Sequence, residues 1–514
     1  MRLLGLDLDF AALPGELAAY RAQTDGVGLL AFAAAVKAGG GRFVCLWGSD
    51  ERNSGTGYAV HVAFALAEGL AWLTLPLPAD DPQYPDLEAL FPAANRQQRA
   101  THDLLGIRAT GGDPRPWLRH NNWPADFYPL RRDCDGSQQF PPQQEDYAFV
   151  RVEGEGVHEI PVGPIHAGII EPGHFRFSIV GEKVQRLEQR LGWTHKGVEK
   201  RFEQMTLDQG YKLAGRISGD STVAYSWAYC LACESLSATT PPPRAKWLRA
   251  LLLERERVAN HLGDLGYLGN DAALAFGLSQ FMRLREDWLR LSAELFGHRL
   301  LMDCLCPGGV AVDVNTAAAA QLLAQCAAVE REVRLLKHIY DEHAGLQDRF
   351  LTTGRLTPQL ASELSISGLA GRASSQTWDL RLQNPLLPYS QLEVQMCTHH
   401  AGDVAARVTV RFEELLESLR LIKEIVARLP EGECCVPLLP AVAGAQGIGW
   451  IEGWRGDVVV AVTADSGGGI RRAHSHDPSW NVWPALEHAI MGNIVPDFPL
   501  INKSFNLSYS GVDL

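Results

Sequence analysis

No stretch of this chain approaches the roughly 18 consecutive uncharged apolar residues that a helix needs to cross a bilayer. Any membrane role is therefore expected through partner subunits. The opening "MRLLGLDLDFAALPGELAAY" carries acidic residues inside its apolar part, so it does not read as a secretory signal. Basic residues are in deficit: 47 Lys and Arg face 60 Asp and Glu, for a net charge of −13. That balance argues against nucleic acid as the main partner, since phosphate binding needs a basic surface. Second metal-type cysteine pairs are also missing. Among 10 cysteines there is one CxxC, Cys230 and Cys233, and the "CLC" at Cys304 to Cys306 has the wrong spacing for another. Cys230 and Cys233 fall in "TVAYSWAYCLACESL", an apolar helical stretch, where cysteine acts as a small buried hydrophobe. Without a secretory signal, the cysteines are expected as reduced thiols in a cytoplasmic protein. No internal repeat is present.

What is present reads as two parts and a connection in 514 residues. Residues 1–132 alternate short apolar runs ("GRFVCLWGS", "LAWLTLPLP") with helical stretches, which predicts a small α+β domain. Residues 133–146, "DCDGSQQFPPQQED", are polar and rich in Gln and Pro, a linker composition. Residues 147–514 form the second part. Its "HEIPVGPIHAGIIEPGHFRFSIVGEKVQRLEQRLG" alternates and carries turn signals, predicting a β-hairpin region. Four later stretches have apolar residues at three and four spacing. They begin at "PPPRAKWL", "SQFMRLRE", "NTAAAAQL" and "GDVAARVT" and predict a bundle of long helices. The fold class expected is α+β, a small domain followed by a larger one built on that bundle.

Several motifs of the second part, "GPIH" with "EPGHFRF", "GWTHKGVEK", "RISGDSTVAYS", "PGGV", "WDLR" and "WPALEHAIMGNIVPDFPLINKSFNLSYSGVDL", recur in one superfamily. They resemble the large subunit of [NiFe]-hydrogenases and the related quinone-site subunit of respiratory complex I. In the first part, "QRATHDLLGI" and "WPADFYPLRRD" resemble the neighbouring complex I subunit, with Gln98 and Ala100 where that family has acidic residues. The fusion of the two is like that in some bacterial complex I enzymes and in energy-converting hydrogenases.

A [NiFe] centre takes four thiolates, because soft sulfur suits these metals. The resemblance places its ligand positions at Ser218, Ser221, Ser508 and Gly511. Serine hydroxyls are hard donors and glycine has no side chain, so no metal is expected. In complex I the equivalent cavity takes a quinone headgroup, with a tyrosine and a histidine as proton donors. That tyrosine position is Gly219 here; Tyr225 and Tyr509 are the candidates to lie near it in the fold, and neither matches the motif. His166 matches the first histidine of the complex I loop, while Glu171 and His174 occupy the rest of it. The resemblance implies a proton-handling role for His166 and a charge-passing role for Asp271. It makes His195 a cavity residue and puts Arg216 near the iron–sulfur cluster of a partner small subunit.

The expectation is a peripheral-arm subunit of a membrane-bound, ion-translocating oxidoreductase complex of NADH-quinone oxidoreductase or hydrogenase type. It would bind no cofactor of its own, save a quinone if the cavity is open. Its partners would be an iron–sulfur small subunit and membrane-embedded subunits of the complex I or antiporter type, at the cytoplasmic face of the inner membrane. The alternative is a structural subunit that couples a redox module to an ion pump without chemistry of its own.

Overall fold

The computed structural model describes residues 3–6, 8–141, 147–168 and 170–514. Residues 142–146 of the expected linker are outside the described residues, and 133–141 contain neither helix nor strand. The first part is a five-stranded sheet: β1 (Ala11–Ala12), β2 (Ala19–Gln23), β3 (Arg42–Asp50), β4 (Tyr58–Leu66) and β5 (Gly69–Leu77), in the order β1-β2-β5-β4-β3. β2 and β5 run parallel, which the intervening crossover requires; the other neighbours are antiparallel.

Every residue of β4 is buried, so both faces of the sheet must be covered. Side chains alternate faces along a strand, which separates Phe64 from His61. On one face Phe64 packs 5.7 Å from Phe32 of helix α1 (Gly26–Ala38). On the other, His61 stacks with Trp47, and Trp47 lies flat on His474 of the second part at 4.8 Å. Helix α2 (Ala94–Leu105) extends this junction. Its Gln97 accepts from Leu46 N and donates to Asn481, and Arg96 pairs with Glu487 at 2.7 Å. Arg99, the centre of the "QRA" motif, is buried and ties α2 to the carbonyls of Arg115 and Pro116.

The second part opens with three antiparallel strands rather than a bare hairpin: β6 (Val157–Val162), β7 (His174–Val180) and β8 (Lys183–Arg190). Residues 163–168 and 170–173, between β6 and β7, contain neither helix nor strand. The long helices follow the apolar spacing of the sequence. They are α4 (Pro243–Asp271), α5 (Ala275–Phe296), α6 (Thr316–Glu342) and α7 (Val404–Ala427). Before them, α3 (Thr222–Ser237) is buried along its whole length, with Cys230 and Cys233 inside its packing. It lies on a buried three-stranded sheet, β9 (Gln446–Glu452), β10 (Asp457–Ala464) and β11 (Ile470–His476). Three shorter helices end the described chain: α8 (Ser479–Ala489), α9 (Phe498–Phe505) and α10 (Ser510–Asp513).

Candidate functional site

Ser218 and Ser221 begin and end the turn that leads into α3; Ser508 lies between α9 and α10 and Gly511 within α10, nearly 300 residues on. The fold brings them together. Ser218 Oγ and Ser508 Oγ are 3.0 Å apart, and Ser508 Oγ also accepts from Gly511 N at 2.9 Å. Ser218 donates to Asp220 Oδ1 at 2.8 Å. The Arg455 guanidinium grips both Asp220 oxygens, at 2.8 and 2.5 Å, and reaches Ser221 Oγ at 3.3 Å. All three serines are buried.

Gly511 is required by its neighbour. A Cβ built there would lie 2.5 Å from Asp477 Oδ2. That carboxylate is fixed by Tyr225, whose hydroxyl donates to Oδ2 at 2.9 Å, and by Ser479 N, which donates to Oδ1 at 2.8 Å. Asp477 therefore fills the space a fourth ligand side chain would use. The donors left are three hydroxyls already engaged in hydrogen bonds, and a guanidinium cation faces them. These residues do not fit a [NiFe] centre, which needs soft thiolates. Among the described residues, no group of three or more His, Cys, Asp or Glu could hold a metal ion elsewhere. Gly511→Ala should push Asp477 off its tyrosine and cost about 1–3 kcal/mol. Thermal denaturation reads this as a lowered midpoint, and an unchanged midpoint would contradict the close approach.

The other residues singled out in the sequence divide into two groups. His166 is beside the serine cluster. Its ring is 6.4 Å from that of Tyr509 and 5.4 Å from Phe175, and its buried Nδ1 has no hydrogen-bond partner. Glu171 is exposed on the same loop; desolvation and the nearby Asp513 and Asp220 carboxylates push its carboxyl up. His195 belongs to the cluster's outer wall, its Nδ1 2.6 Å from the Asp513 carbonyl. That geometry places the proton on Nδ1, while burial lowers the affinity of the ring for a second one.

His174, Arg216 and Asp271 make their contacts elsewhere. His174 begins β7 and packs against Phe149 at 5.2 Å. Arg216 is exposed and forms a bidentate pair with Asp303 at 2.6 and 2.8 Å. Asp271 is an exposed residue at the last turn of α4, its carboxyl raised by partial burial against the Asn270 side-chain hydrogen bond and the pull of Lys503.

Beyond the motif positions, the structure adds Asp220, Arg455, Asp477 and Glu256. Glu256 accepts from Val223 N at 2.6 Å and Ala224 N at 3.3 Å at the start of α3. Burial, with the like charge of Asp220, outweighs those donors and pushes its carboxyl up to about 8. A larger missed feature runs down α4. Glu254, Arg257, His261 and Asp264 recur at spacings of three and four, so they form one charged stripe, and all four are buried. Glu254 takes hydrogen bonds from Arg381, Tyr389 and Ser418, and Arg257 from α4 itself pairs with it at 3.2 Å. Burial would raise Glu254, but Arg381 and Arg257 hold it down at about 2. His261 meets Glu414 at 2.9 Å, and Asp264 meets Arg411 at 2.9 Å and Asn506 at 2.7 Å. The "WDLR" motif joins this network through Asp379 and Arg381. Its signal in the sequence is a charged heptad on a helix too apolar elsewhere to be a surface helix.

Two family models match the chain: the 30 Kd subunit of respiratory-chain NADH dehydrogenase over residues 23–140, and its 49 Kd subunit over 271–442. Formate hydrogenlyase subunit 5 of Escherichia coli (strain K12) is 30% identical over 483 residues, covering 92% of this chain and 85% of the relative. An NADH-quinone oxidoreductase subunit of Phocaeicola vulgatus is 25% identical over 434 residues, covering 80% and 83%. Among solved structures, a chain of the membrane-bound sulfane sulfur reductase, an archaeal respiratory membrane complex, has the same fold at a TM-score of 0.66 and 24% identity; the match covers 70% of this chain and 99% of that one. The chain belongs to the family of formate hydrogenlyase subunit 5, and it joins a 30 Kd-type and a 49 Kd-type region of respiratory-chain NADH dehydrogenase.

Proposed function

We propose that this protein is a subunit of a membrane-bound oxidoreductase complex related to complex I and the energy-converting hydrogenases, acting as a coupling subunit around a closed centre. The observation that carries this reading is the packing at Gly511. The Asp477 carboxylate fills the space beside Gly511, hydrogen bonds link Ser218, Ser508 and Gly511, and Arg455 holds Ser221. The space beside Gly219 and Asp220 amounts to about 20 Å³, room for little more than one water. The role left to the site is mechanical and electrostatic. It joins α3, the turn between β9 and β10 that carries Arg455, and the C-terminal helices into one rigid unit.

The exposed Arg216–Asp303 pair offers a charged surface at the edge of that unit. A small subunit with an iron–sulfur cluster would dock there, where a cation raises the potential of a nearby cluster. No helix among the described residues is long and apolar enough to cross a membrane. Attachment would come through membrane-embedded subunits of the complex I or antiporter type, at the cytoplasmic face of the inner membrane. The exposed Asp271, at the end of the charged stripe of α4, would face that contact.

A second reading has one observation in its favour. The buried, unpartnered Nδ1 of His166 beside Tyr509 is a polar atom awaiting a partner, and a quinone-type acceptor entering beside it would supply one. Purification of the complex through a tag on this chain separates the readings. An iron–sulfur subunit and membrane subunits should co-purify; recovery of this chain alone would contradict both. In that complex His166→Ala should leave electron transfer to quinone analogues unchanged if the centre is closed. A drop of about 10²-fold or more, the scale of a lost proton donor, would establish the second reading instead.

A further inference from the structure

Cys306 and Cys435 are 129 positions apart, yet their sulfurs lie 3.7 Å from each other. The cause is a small β arrangement built on the "PGGV" motif. Leu305–Cys306 pairs with Gly309–Val310 across the Pro307-Gly308 turn, and Cys435 bridges to Gly309 from the other side. Val310 N donates to the Cys434 carbonyl at 2.9 Å, and Val436 N donates to the Gly308 carbonyl at 3.1 Å. The approach depends on glycine. A Cβ on Gly309 would lie 2.1 Å from the Cys434 oxygen, and one on Gly308, at φ +86°, 1.9 Å from the Val436 oxygen.

The backbone that carries Cys306 is anchored from below. Arg249, paired with Glu234, donates to the carbonyls of Cys306 and Gly309 at 3.0 Å each, and Gly308 N donates to Glu234 at 2.8 Å. The two thiols are therefore held in contact by fixed main chain. Cys435 is exposed and Cys306 is half-buried. None of the chemistry considered above uses either of them.

We propose that Cys306 and Cys435 form a redox-active thiol pair that closes to a disulfide by exchange with a small-molecule disulfide of the oxidised-glutathione type. The exposed Cys435 thiolate attacks one sulfur of the small disulfide, forms a mixed disulfide and expels one thiolate. Cys306, already in contact, attacks the Cys435 sulfur and expels the second. The protein loses two protons and two electrons, and the small disulfide accepts both and leaves as two thiols. The sulfur separation must shrink from 3.7 Å to about 2.05 Å. Burial, and then the neighbouring Cys435, push the Cys306 thiol up to about 12, so Cys306 acts second. The Cys435 contribution disappears once that sulfur is in the mixed disulfide. Closing the pair would staple the 434–436 segment to the hairpin that starts just after Asp303, the partner of Arg216. The redox state of a thiol pool would thereby bear on the surface proposed to meet the small subunit. The closure itself does not depend on that reading.

The test uses the intact complex incubated with oxidised glutathione, digested without reduction and analysed by mass spectrometry. Wild type should yield a linked peptide containing Cys306 and Cys435, as should Cys434→Ser, which keeps both thiols. Cys306→Ser should stop at a glutathione adduct on Cys435, and Cys435→Ser should react at Cys306 at least tenfold more slowly than wild type does at Cys435. A stable adduct on wild-type Cys435 without the link, loss of the link in Cys434→Ser, or no reaction at either cysteine would each overturn the proposal.

Discussion

Arg372→Met is expected to cost about 3–5 kcal/mol of folding stability, the scale for removing one partner from a buried ion network. Arg372 is 1% exposed, and its guanidinium meets Glu414 at 2.7 Å and Glu452 at 2.8 Å, with Asp379 at 3.7 Å. In the same network Arg381 and Arg257 serve Glu254 and Asp379. Four carboxylates (Glu254, Asp379, Glu414, Glu452) thus share three guanidiniums. Burial and the Asp379 and Asp457 charges raise the Glu452 carboxyl, which eases the imbalance. Methionine fills much of the arginine volume, so the loss reports charge rather than a cavity. Urea denaturation followed by tryptophan fluorescence should show the midpoint fall by a matching amount. A midpoint near that of wild type would mean that the carboxylates find other partners, and the network would not be the keystone of the bundle.

The second large effect is a pH dependence that traces to Glu256. Its carboxyl is pushed up to about 8 in the folded protein, above its ordinary 4.5, by burial and by Asp220. Between those values the native state holds a proton that the unfolded chain has released, so stability falls as pH rises from about 4.5 towards 8. The slope is at most about 1.4 kcal/mol per pH unit from this one group. Glu256→Gln carries an amide in place of the protonated acid, so denaturation midpoints of the variant should fall less steeply over that window. Equal slopes for variant and wild type would remove Glu256 as the source. The position matters because Glu256 touches the first turn of α3, next to Asp220 and the serines.

How much of this was legible in the sequence follows from where the information resides. The long helices are local objects. Apolar residues at three and four spacing predicted α4 to α7, and each is present. The strands of 157–190 were legible as alternation and turns, though the third strand was not, because β6 is short and largely exposed. The four positions of the serine centre were readable only through resemblance to a family motif, since nothing local marks Ser218 or Gly511. Asp477 and Arg455 were missed because their roles depend on chain crossings of more than 230 residues, from 220 and 225, which no spacing encodes. The charged stripe of α4 was different. Glu254, Arg257, His261 and Asp264 are within one helix, and their periodicity was available. It was overlooked because charge on a helix ordinarily marks the solvent face, whereas here arginines and carboxylates from α7, β9 and the "WDLR" segment cover it.

The proposal stands on a hydrogen-bonded cluster of Ser218, Ser221, Ser508, Asp220 and Arg455, closed at Gly511 by Asp477. Metal analysis of the purified complex tests it most directly. Nickel should stay below about 0.1 per chain even when the cells are grown with added nickel, because the serine cluster offers no thiolate to retain it. Nickel near one per chain would contradict the account.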